Sequence, residues 1–122
     1  PVTLVGEARR KHSFVSMVDV AAFAVVAVDN PAARDATIVI GGPEALSWRD
    51  VVAGVEQVIG REIPVRLVQS GEPVPLLHEA LQDAAAMQDR YDSPVPMADT
   101  VATYGVTLTP MATVLQRMFG AH

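Results

Sequence analysis

The residues able to do chemistry are few, and their spacing is wrong for the commoner reactions. His78-Glu79 opens like the metal-binding pattern H-E-x-x-H, but position 82 is Gln, so the second imidazole ligand is missing. Ser47 lacks the flanking glycines of a nucleophile elbow and reads as a helix cap. With no cysteine there is no thiolate nucleophile, no thiolate metal site and no disulfide. Tyr91 and Tyr104 could donate a phenolic proton, yet each falls on an apolar helical stripe. A phosphate cradle needs a glycine-rich turn opening a helix. Gly41-Gly42-Pro43 follows an apolar run, but Pro43 lacks an N–H, no third glycine follows, and Lys11, the sole lysine, does not follow such a loop. No D-x-D-x-D-G loop for calcium occurs among the acids. By residue chemistry the chain carries no catalytic residue, no metal site and no cofactor-binding residue.

Composition narrows the remaining classes. The chain has 122 residues, 50% hydrophobic and 19% charged, with a net charge of −5. This is enough apolar material for one domain over residues 1–122 and too much for a disordered tail. The acidic balance excludes a nucleic-acid binder with a basic face. The basic run Arg9-Arg10-Lys11-His12 is too short to claim phosphate binding and reads as a solvated loop. Residues 72–99 carry Glu72, Glu79, Asp83, Asp89, Asp92 and Asp99 against Arg90 alone, a solvated face or a docking surface for a basic partner. The longest apolar run, Val20 to Val28, is far below the roughly 20 residues of a membrane span. No membrane partner is expected, and the location expected is cytoplasmic.

The elements that would position these residues follow from periodicity. Val2 to Val5 is a β-prone run stopped at Gly6, and His12 to Met17 alternates loosely as a strand would. Ser16 and Asp19 have capping-box spacing, which predicts a helix over Val18–Val28 ended by Asn30-Pro31. Being apolar on nearly every side, that helix is expected to be buried on nearly every side. The unbroken run Ala36–Ile40 predicts a strand covered on both faces. Ser47 and Asp50 box a helix whose stripe is Trp48, Val51, Val52, Val55, Val58 and Ile59, with Gly60 as its stop. Pro64–Gln69 is a further strand, and Ser70–Pro75 a turn. Leu77, Leu81, Ala84, Gln88 and Tyr91 line one helix face. Met97–Tyr104 follows Pro96, and Thr109-Pro110 starts a last helix striped by Met111, Val114, Leu115 and Met118. The expected fold is α/β over residues 1–69 with α+β character in a helical tail over 70–122. Its sheet would be partial and Rossmann-type, with about three to four strands and crossover helices.

Two stretches carry a resemblance. One is His12-Ser13-Phe14-Val15-Ser16-Met17-Val18-Asp19-Val20-Ala21. The other is Ile38-Val39-Ile40-Gly41-Gly42-Pro43-Glu44-Ala45-Leu46-Ser47, followed by a helix ending Ile59-Gly60-Arg61 and the strand Val65-Arg66-Leu67-Val68. In this order they resemble the C-terminal half of atypical or extended short-chain dehydrogenase/reductases, particularly the NmrA-like group of NAD(P)-binding proteins. The resemblance spans most of residues 1–69. His12 and Ser13 stand where sugar-nucleotide epimerases of the extended group carry Arg-Asp, which leans toward the NmrA-like branch.

That resemblance implies a substrate-binding C-terminal portion whose N-terminal cofactor-binding half is absent. NAD(P) would be the cofactor of the intact relative, bound by none of these residues. His12, Ser13 and Phe14, at the strand entry, become the substrate-binding candidates. The partner would be the missing Rossmann half or, alternatively, a second copy covering an open sheet. The intact relative would be an oxidoreductase acting on a small carbonyl or quinone-like substrate. The other function implied is a non-enzymatic NmrA-like regulator docking proteins through residues 72–99.

Overall fold

The computed structural model describes residues 2–120. In chain order these form β1 (Val2–Val5), α1 (Met17–Asp29), a 3-10 turn (Pro31–Ala33), α2 (Trp48–Ile59), β2 (Val65–Val68), a second 3-10 turn (Glu79–Leu81), α3 (Gln82–Arg90), α4 (Ala98–Tyr104) and α5 (Met111–Phe119). The fold is mixed α/β, with a helical last third.

The sheet has two strands among the described residues. β1 and β2 pair in parallel, Val2 opposite Val65 through Val5 opposite Val68. Parallel neighbours need a long crossover, and here α1 and α2 supply it. Neither of the other two expected strands forms a ladder. In His12–Met17 only His12 pairs, through isolated bridges to Leu46 and Ser93. Ala36–Ile40 has no strand assignment, and Val39 is 62% exposed. A β-prone run becomes a strand only when a neighbour satisfies its N–H and C=O groups along its length; here the pairing stops after His12 and Ser13, and Ala36–Ile40 has no paired neighbour among the described residues.

α2 matches its sequence signature closely. Ser47 accepts from Asp50 N, the Asp50 carboxylate accepts from Ser47 N, and Gly60 ends the helix in the left-handed conformation. Leu4 and Ala8 bury against Val52, with Val2 and Ile63 beside them. A second cluster joins Phe23 of α1 to Met97 and Val106.

α1 departs from its expected burial. Only Asp19 and Phe23 are buried, while Met17, Val18, Val25 and Val28 are exposed, Met17 at 89% and Val28 at 80%. Its box is also half made. Ser16 accepts from Val18 N and Asp19 N, but the Asp19 carboxylate turns to Thr109, accepting from its N–H at 2.6 Å and its hydroxyl at 2.8 Å. Asp19 thereby fastens the approach to α5, at which Pro110, not Thr109, occupies the cap position.

The expected 77–91 helix is a 3-10 turn followed by α3, and His78 caps that turn by accepting from Ala80 N. No helix among the described residues is long and apolar enough to cross a membrane.

Candidate functional site

Chain segments far apart in sequence converge at residues 6–14. Gly6, at φ +59°, takes the chain out of β1 in the left-handed region, and a Cβ there would overlap the Asp89 carboxylate. That carboxylate accepts from Glu7 N at 3.1 Å and Ala8 N at 3.3 Å. Asp92 accepts from Lys11 N at 2.7 Å and pairs with Arg10 at 3.8 Å. Two of the six acids of 72–99 are therefore engaged in holding the chain's own N-terminal loop.

His12 lies at the centre and is 4% exposed. Its main chain exchanges two bonds of 2.8 Å with Leu46. Its ring is held at both nitrogens, Nε2 at 2.8 Å from the Gln88 carbonyl and Nδ1 at 2.5 Å from Ser93 Oγ. A carbonyl only accepts, so Nε2 carries hydrogen and donates, and in the neutral ring Nδ1 accepts from the Ser93 hydroxyl. The Gln88 carbonyl is one of the last four of α3, which lack intrahelical partners, so His12 satisfies that helix end.

Ser13 is engaged likewise. Its N–H donates to the Ser93 carbonyl at 3.2 Å, its hydroxyl accepts from Val95 N at 2.8 Å, and its carbonyl accepts from Gly42 N at 3.3 Å. Phe14 is half-buried, its ring 4.8 Å from Trp48 and 6.0 Å, edge-on, from His12. The Trp48 indole donates to Gln88 Oε1 at 2.9 Å. Around these three consecutive residues the structure brings Trp48, Gln88 and Ser93. Sequence reading placed Trp48 and Gln88 on helix stripes and saw no link to His12, since contacts across about eighty positions leave no local pattern.

Lys11 and Asp50 close the outer side. Their ammonium and carboxylate lie 2.6 Å apart, and both side chains are about half exposed. The Asp50 carboxyl is held below its ordinary value of 3.8, first by the Lys11 hydrogen bond and then by the Ser47 N–H.

The Gly41-Gly42 turn does not form a pyrophosphate cradle. Gly41 and Gly42, the only adjacent glycines, are buried, and their N–H groups are used, by Met97 Sδ at 3.2 Å and by the Ser13 carbonyl. A Cβ on Gly42 would run into the Phe14 carbonyl, so this glycine serves close packing. No group of three or more His, Asp or Glu among the described residues could hold a metal ion.

No family model matches the sequence, and no curated protein matches it. Solved structures do. The crystal structure of a UDP-glucuronic acid 4-epimerase from Bacillus cereus in complex with NAD superposes with a TM-score of 0.64 at 15% identity, over 95% of this chain and 30% of its own. An NADPH-dependent quinone oxidoreductase from Escherichia coli, complexed with NADPH, gives 0.62 at 16% identity, over 97% of this chain and 45% of its own. The chain thus spans less than half the length of either structure. At such identities the likeness establishes the fold, a mixed α/β arrangement shared with part of two NAD(P)-dependent enzymes.

Proposed function

We propose that this chain is the substrate-binding C-terminal portion of an NAD(P)-dependent reductase or epimerase-like protein of the NmrA-like kind, and is not catalytic by itself. One observation carries the reading. Nearly all of the chain superposes on two cofactor-bound enzymes, yet it spans only 45% and 30% of them, and its own residues offer no cofactor cradle. On this reading, cofactor binding belongs to the half of such a fold that these residues do not supply.

Burial supports it. Among the described residues eight hydrophobic side chains are buried, while fifteen large ones are exposed. The outer face of α1 and the unpaired Ala36–Ile40 run would be covered by the cofactor-binding sheet, with Ala36–Ile40 as one of its strands. A second copy of this chain is the other partner able to cover them. On this reading His12, Ser13 and Phe14 would be the residues that meet a small carbonyl or quinone-like substrate beside that half. His12 and Ser13 would shape the cleft through their backbone and packing, because their polar atoms are already bonded.

Calorimetric titration of NADPH into the 122-residue chain tests this. The expected result is no saturable heat. A dissociation constant in the micromolar range would show a complete cofactor site and overturn the reading.

A further inference from the structure

α3 packs lightly on the sheet beneath it. Its residues on the cavity side are Ala84, Ala85 and Gln88, mostly short side chains, with Leu81 of the preceding turn beside them, and none of its residues is buried. It is held at its C-terminal end, where Asp89 grips Glu7 and Ala8 and His12 grips the Gln88 carbonyl. Between α3 and β1 a cavity of about 360 Å³ remains. Val2, Leu4 and Val5 form one wall, and Leu77, Leu81 and Ala85 the other. This volume lies within the range of small-molecule sites.

Several polar atoms at its edge are already committed. Trp48 Nε1 donates to Gln88 Oε1, and Asp89 Oδ1 accepts from two backbone N–H groups. The Thr3 hydroxyl, the Gln88 amide N–H and Asp89 Oδ2 are left to meet a ligand. An anion would lose its hydration, gain no opposite charge and face the Asp89 carboxylate. The lining is mostly apolar and open to solvent on one side, so an apolar ring seated there would leave water. We infer that the cavity between β1 and α3 is a binding site for an apolar ring compound without negative charge, complete within this chain and independent of any cofactor-binding half.

Trp48, the only tryptophan, borders the cavity and reports on it. Naphthoquinone serves as the neutral probe, since the chain has no thiol for it to alkylate. Saturable quenching of Trp48 is expected, with naphthoquinone sulfonate binding at least about tenfold more weakly. Ala85→Leu fills the cavity and is expected to weaken naphthoquinone about tenfold or more, while Ala102→Leu, on an exposed face of α4, leaves it unchanged. Amide chemical-shift mapping of the unaltered chain guards against a misfolded variant. Shifts are expected at residues 2–5 and 77–85. Absence of saturable binding, equal affinity for the sulfonate, retention of binding in a folded Ala85→Leu chain, or shifts centred on residues 51–59 would each overturn the assignment.

Discussion

Phe23→Ala is expected to lower the unfolding free energy by about 3–5 kcal/mol, a large share of what a small domain has. Phe23 is 2% exposed and joins Met97 and Val106, with the Tyr104 ring edge-on at 6.3 Å. Truncation loses the transfer free energy of the ring. It also leaves a void beside α1, which is tied through Asp19 to Thr109. Urea unfolding reads this as a lower midpoint at unchanged slope. Val25→Ala, two residues on but 73% exposed, is the control, expected to stay within about 0.5 kcal/mol. A large loss at Val25 as well would mean that the outer face of α1 is already covered in the isolated chain, as self-association would do.

His12→Ala is the second large effect, expected at about 3 kcal/mol. The substitution deletes both ring bonds, strands the Gln88 carbonyl at the end of α3 and removes the edge that Phe14 packs against. The loss should reach outward. Amide exchange is expected to quicken through residues 82–93 and along 7–13, which share the Asp89 and Asp92 anchors. A variant as stable as the parent would show that His12 does not join these segments, and that its burial is incidental.

What the sequence disclosed divides along a physical line. α2 was legible in full because its signals are local: a capping box, a 3.6-residue stripe and a left-handed glycine within fourteen positions. β1 and β2 were legible as runs of β-branched residues, though not as partners sixty positions apart. The burial of α1 was misjudged because hydrophobicity states what a surface prefers, not whether a neighbour is at hand. Ala36–Ile40 is the same case in a strand. The candidate residues His12, Ser13 and Phe14 were found through resemblance, while Trp48, Gln88 and Ser93 come to them only through the tertiary fold. Asp19 shows the limit best, since capping-box spacing was right and the carboxylate still bonds Thr109, ninety positions away.

The claim that matters most is that these residues are the later portion of a cofactor-dependent fold. Its most direct test is the intact mass of the natural polypeptide that carries this sequence, read by mass spectrometry of material from its source. The chain covers 30% and 45% of the two enzymes described above, so the mass expected is more than twice 13.0 kDa, with a glycine-rich strand-to-helix turn in the additional residues. A natural polypeptide of 13.0 kDa, complete as it stands, would contradict that claim.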